Sequence, residues 1–187
     1  MRSSYAVALV GAALVAPASA ADGDPLAQLR YLEGSCWRAE FPGGQQADYQ
    51  CVEPMVEGHF LRSKHVVVGT SPDYWGETVY YWDGETKGIR FIYFTSIGAT
   101  SRGSVRFDEA GTGFVEERYV LENGHFIELS AELSRPAEDR YDALVRTREG
   151  AGLGEETAME FHRLGGECRT LEDVRAGCHL QAGGPEQ

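Results

Sequence analysis

Basic residues are scarce in this sequence. Seventeen Lys and Arg stand against 29 Asp and Glu in 187 residues, a formal net charge of −12. A chain of that sign repels phosphate backbones at range, so no nucleic-acid partner is expected, although net charge does not describe any single cleft. There is no Gly-rich loop opening a helix after a strand and no Gly-x-Ser-x-Gly elbow. Both absences argue against common nucleotide-binding and serine-hydrolase chemistry. The five His form neither His-x-His nor His-Glu-x-x-His, and no Cys-x-x-Cys pair occurs, so no metal centre is expected. The apolar run near the start is too short to span a bilayer, and no transmembrane segment is expected in the mature chain.

What is present begins with a processing signal. Arg2 precedes apolar or small residues from Tyr5 to Ala16, and Ala18-Ser19-Ala20 places small residues where a signal peptidase reads. Residues 1–20 therefore read as a signal peptide and 21–24 as a linker, with a secreted or periplasmic product. No Cys follows the cleavage site, so no lipid anchor is indicated. Cys36, Cys51, Cys168 and Cys178 all lie in the mature part, and an even count in an exported chain favours two disulfides. Cys36 and Cys51 flank a predicted hairpin centred on Pro42-Gly43-Gly44, which favours pairing 36 with 51 and 168 with 178. The alternative ties the first hairpin to the C-terminal tail.

From Pro25 to Tyr31 the spacing of Leu26, Leu29 and Leu32 predicts a short N-terminal helix stopped by Gly34. The pattern then changes to short runs of β-formers. Strands are predicted at 36–41, 46–53, 59–68, 77–82, 89–95, 101–107, 114–121, 125–134, 140–147 and 157–163, separated by Gly, Pro, Asp and Asn turns. Asn123-Gly124 is the sharpest of these. Ten strands with short links predict a mainly β domain over 25–165, a closed antiparallel up-and-down barrel whose closure removes its edges. Residues 166–187 read as a tail tied by Cys168 and Cys178.

Several short motifs resemble a known group. Leu32-Glu33-Gly34-Ser35-Cys36-Trp37 places a turn and Gly-x-x-Trp at the head of the first strand. Tyr49 to Glu53, Val56-Glu57-Gly58-His59-Phe60-Leu61 and Tyr80-Tyr81-Trp82-Asp83-Gly84 continue the likeness. Across most of 26–163 the chain resembles small lipocalin-like (calycin) barrels, among them bacterial lipocalin-like proteins of unknown function and nitrobindin-like barrels. The resemblance implies a helical turn plugging one end, a Trp packed under the barrel, and an interior cavity for a small hydrophobic ligand. Nitrobindin-like members bind haem through a His near the barrel end, which would assign that role to His162. The surrounding Glu160-Phe161-His162-Arg163 does not match that group residue by residue.

Candidate site residues follow from position. His65 and His162 sit within predicted strands, where a neutral imidazole acts as ligand or base. Arg62 and Arg146 interrupt otherwise apolar strands and are candidates for the interior. Glu116 and Glu117 occupy opposite faces, so just one points inward, while Glu128 falls outside the Ile127 and Leu129 stripe. The strands at 77–82 and 89–95 carry aromatic residues on both faces. Tyr81 and Tyr93 are the expected inward pair, with hydroxyls to orient an apolar or amphipathic ligand. The opposite face, with Trp82, is then expected to form a cap or a homodimer contact.

Overall fold

The computed structural model describes residues 23–120, 124–149 and 154–178. The expected signal peptide, Asn123 and His179 lie outside the described residues.

Ten antiparallel strands close into one barrel. They are β1 (Ser35–Glu40), β2 (Ala47–Met55), β3 (Phe60–Val68), β4 (Tyr74–Asp83), β5 (Gly88–Thr95), β6 (Thr100–Phe107), β7 (Gly113–Val120), β8 (Phe126–Ala137), β9 (Arg140–Glu149) and β10 (Glu156–Arg163). Each strand pairs with its sequence neighbours, and β10 returns to β1 through Trp37 opposite Arg163. This up-and-down order needs only short turns and leaves no unpaired edge. The closed ten-stranded barrel is consistent with a calycin-like fold.

The helical content differs from the expectation. Ala27–Leu32 is a 3-10 turn, and the α-helix among the described residues is α1 (Leu171–Arg175), near the C-terminal end. Three Leu fit one side of a short segment whichever helix type forms, so their spacing does not distinguish them. The turn buries Leu26, Leu29 and Leu32 and plugs the end of the barrel where β1 begins. Beneath it Trp37 is fully buried and donates its indole N–H to the Leu32 carbonyl at 3.4 Å. Tyr141 meets Trp37 edge-on at 5.1 Å and stacks on Phe161 at 4.5 Å. Arg163 lies over the Trp37 ring at 4.8 Å. Offset and edge-on rings with a cation beneath fill this half densely.

A second core lies outside the wall. Cys36 and Cys51 are directly opposed on β1 and β2 and form a disulfide; Cys168 and Cys178 form another. Thr170 caps α1 by accepting from the Asp173 N–H, and the Asp173 carboxylate accepts from the Thr170 N–H. The helix thereby turns Leu171 and Val174 onto Cys36, Cys51, Tyr49 and Val66.

Every strand carries a charged residue on its outer side, from Arg38 on β1 to Glu160 on β10. Among the described residues no helix is long and apolar enough to cross a membrane.

Candidate functional site

Alternation fixes which residues face inward once the plugged core is known. Trp37 is inside, so Gln50 opposite it is inside, and Asp48 two residues earlier shares that side. His65 pairs with both Gln50 and Gly76, placing it on the inner face of β3. Tyr74 is on the inner face of β4, Tyr93 on that of β5, and Glu117 and Tyr119 on that of β7.

These groups form a connected chain toward the open end. His65 Nδ1 lies 3.0 Å from Asp48 Oδ1, and His65 Nε2 lies 2.8 Å from the Tyr93 hydroxyl. The Tyr93 and Tyr74 hydroxyls share a hydrogen bond of 2.7 Å. Gln50 donates its amide to Asp48 Oδ2 at 2.8 Å, and the Tyr141 hydroxyl donates to Gln50 Oε1 at 3.1 Å. Asp48 is buried, with both oxygens engaged.

The chain has two polarities. With His65 neutral and its Nδ1–H given to Asp48, Nε2 accepts the Tyr93 proton. With His65 protonated both ring nitrogens donate, and the Tyr93 hydroxyl turns to donate to Tyr74. One proton on His65 therefore changes what Tyr74 offers at the mouth.

Gly76 makes the geometry possible. A Cβ there would come 2.4 Å from Tyr93 Cε2 and 2.7 Å from the Phe94 carbonyl oxygen. The bare backbone lets the Tyr93 ring lie across β4 and reach His65.

Burial pushes the hydroxyls of Tyr93 and Tyr80 well above the usual phenol range, so both stay neutral. Burial likewise raises the Glu117 carboxyl, partly opposed by its hydrogen bond from Ser101 and by the nearby His65. Glu117 makes no ion pair among the described residues.

The opposite wall is apolar and incompletely covered. Val115, Leu129, Ala131 and Val145 face inward from β7, β8 and β9 yet are only half-buried. Their counterparts Trp37, Leu61, Phe91, Tyr141 and Phe161 are buried. Tyr80 shows the boundary: desolvation raises its hydroxyl, yet the residue as a whole is only half-buried. The interior is packed at the plugged end, whereas toward the open end the inner-face side chains are only half-buried. Large apolar residues are exposed around that mouth, namely Trp75, Phe94, Ile97, Val120 and Phe126.

Of the residues expected from sequence, His65 and Tyr93 come together inside, hydrogen-bonded to each other. Tyr81 does not join them. It pairs with Arg90 on the outer face, and Tyr80 takes the inner position opposite Phe91. Alternation alone allows two phases for a strand with large side chains on both faces, and the register with Leu61 and Phe91 puts Tyr80 rather than Tyr81 inside. Arg62 is also outside, bonded to Glu53 at 2.8 Å. Arg146 is outside as well, paired with Glu156 at 2.7 Å. Their charges are satisfied across neighbouring strands in solvent, which removes any need to enter the lumen. His162 lies on the outer face of β10, its side chain 60% exposed, beside a surface groove of about 350 Å³ shared with Arg38, Phe41 and Ala158 rather than in the interior. Trp82 shares the inner register of β4 rather than the outer face, and it is exposed because the wall ends there.

Asp48, Gln50, Tyr74 and Gly76 were not among the expected site residues. Cysteine parity offers a signal for two of them: a Cys51 paired across the outside of the hairpin forces Asp48 and Gln50 inward.

A groove of about 830 Å³ runs along the outer wall, with Arg90, Glu116 and Arg146 on one bank and Arg102, Glu128 and Arg148 on the other. Mixed signs on a solvated wall define no preferred ligand charge. No protein-family model and no curated protein matches the chain.

Proposed function

We propose that this is an exported binding protein holding a small amphipathic molecule in the open half of its barrel. The observation supporting this reading is the two-sided lining of the inner face, whose half-covered side chains we take to border a lumen. Hydrogen-bonding groups on β2 to β5 face half-buried apolar side chains on β7 to β9. A ligand's polar end would satisfy Tyr74, Tyr93 or Glu117, while its apolar body would cover Leu129, Ala131 and Val145. The exposed apolar mouth suits capture of such a molecule from water.

The test uses the neutral fluorophore N-phenyl-1-naphthylamine. It should bind saturably to the wild-type protein, and Ala131→Phe, which fills the lumen, should lose that binding while keeping the β-sheet circular dichroism. Binding retained in a folded Ala131→Phe variant sinks the reading. Export is checked separately by intact mass, expected to match residues 21–187 lacking four hydrogens. A product retaining residues 1–20 removes export without touching the lumen.

A second reading, a protein-interaction domain, draws on the same rim, where Trp75 is 49% and Ile97 69% exposed. Sedimentation as a dimer that Trp75→Glu dissociates, together with no fluorophore binding, would favour it. The homodimer contact expected of Trp82 would then belong to the rim instead.

A further inference from the structure

The charges that line the lumen are strongly one-sided. Among the residues whose side chains are described, the ionisable groups on its inner-face positions are Asp48, Glu117, His65 and the phenols of Tyr74, Tyr80, Tyr93, Tyr119 and Tyr141. Arg38, Arg62, Lys64, Arg90, Arg102, Arg118, Arg146 and Arg148 all fall on outer-face positions of their strands. Arg163 does face inward, but at the plugged end, where it stacks on Trp37.

The two carboxyl groups are not equivalent. Asp48 already accepts from His65 and Gln50. Glu117 accepts from Ser101 and, among the described residues, makes no ion pair with an Arg or Lys. It sits in register between Gly103 on β6 and Leu129 on β8, beside the half-buried apolar wall. Gly103 supplies no side chain, and the Phe91 ring packs over it, so that neighbour brings no donor either. Glu117 acts electrostatically on both Tyr74 and Tyr93, which places it on the same space as the phenol rings.

We propose that the lumen is a site for a small organic cation, a protonated amine on an apolar or aromatic body, with Glu117 as its counter-charge. This rests on the lumen being the binding site. The ammonium group would donate to the Glu117 carboxylate, with phenol oxygens and ring faces of Tyr74, Tyr93 and Tyr119 around it. Its body would lie on Leu129, Ala131 and Val145. A carboxylate ligand would face Asp48 and Glu117 with no arginine or lysine to receive it. A neutral alcohol would leave Glu117 buried without a charge partner, the costly arrangement that the free protein already tolerates.

Protons follow from the same geometry. Ser101, His65, Tyr74, Tyr80 and Tyr93 are the groups near Glu117 from the surrounding strands, and Tyr119 shares its inner face on β7. Burial makes Glu117 hold its proton more tightly than usual, and a bound cation opposes that. Affinity should fall as pH drops, because Glu117 then protonates and loses the charge that receives the amine.

Calorimetric titration with three probes of one shape tests the assignment: 2-phenylethylamine, 2-phenylethanol and phenylacetate. The amine, as its cation, should bind roughly tenfold or more tightly than the alcohol, with phenylacetate weakest. In Glu117→Gln the amine-to-alcohol affinity ratio should fall to about one, with folding checked by circular dichroism. Equal or tighter binding of the alcohol or the acid by the wild-type protein overturns the cation assignment while leaving the lumen as a site. So does an unchanged ratio in Glu117→Gln. No binding of any probe, together with no fluorophore binding, overturns the lumen reading and this inference with it.

Discussion

The two ends of one barrel solve opposite problems. At the plugged end, Trp37, Tyr141, Phe161, Leu26 and the two leucines of the 3-10 turn fill the interior with apolar surface. At the open end β2 to β5 supply Asp48, His65, Tyr74 and Tyr93, and apolar side chains across from them remain half-covered. The strand wall is continuous through both. What changes is the side chain at every second position, so stability and recognition are separated along the barrel axis rather than among domains. Tyr141 joins the halves, its ring in the packed core and its hydroxyl on Gln50.

The strongest way to break this contrast is Trp37→Ala. Removing a fully buried indole and its stacking partners should cost about 3–5 kcal/mol in urea denaturation. A loss under about 1 kcal/mol would mean that the plugged half does not dominate stability. At the open end, Gly76→Ala should cost about 1–3 kcal/mol, because its methyl group must displace the Tyr93 ring or the Phe94 backbone. It should also abolish fluorophore binding, whereas an unaltered variant would show that Tyr93 is not held by the close approach.

Glu117→Gln gives a smaller and pH-dependent effect. Burial raises the folded carboxyl above its usual value of 4.5, so the unfolded state ionises first as pH rises. Below that value both states are protonated and ionisation makes no difference. Above it, stability falls until the folded carboxyl has also ionised. The Gln variant escapes this loss, so thermal melts should show a gain in Tm near pH 8 that vanishes near about pH 4. A gain independent of pH would assign the effect to packing.

Smallest of all should be Arg62→Ala and His162→Ala. Both lie on the solvated outer wall. Loss of the half-exposed Arg62–Glu53 pair is expected to cost about 0–1 kcal/mol, and fluorophore affinity should not change in either variant. A large loss of binding in one of them would move the site outside the barrel.

Much of the barrel was legible because turn residues punctuate it sharply. All ten predicted strands are present, displaced by a few residues at their ends. The phase of β4 was not legible: Val79 and Tyr81 are as apolar as Tyr80 and Trp82, and only the wall curvature and the register with Leu61 and Phe91 decide between them. For the lumen, His65 and Tyr93 were recoverable as strand residues with useful tips. Asp48 and Tyr74 become meaningful only when β2 and β4 are brought onto either side of β3. Gly76 was legible only as a break in a strand, because its role depends on a tyrosine from the next one.

The outer helix also has a consequence in time. Cys36 and Cys51 are buried under Leu171 and Val174, whereas Cys178 remains partly exposed. During synthesis the first hairpin emerges long before the helix that will cover it. Thiol exchange can therefore revise the early bond until α1 arrives, and afterwards the attacking thiolate has no path to it. The last helix thus seals the first disulfide from the outside, and a mild reductant should open Cys168–Cys178 well before Cys36–Cys51.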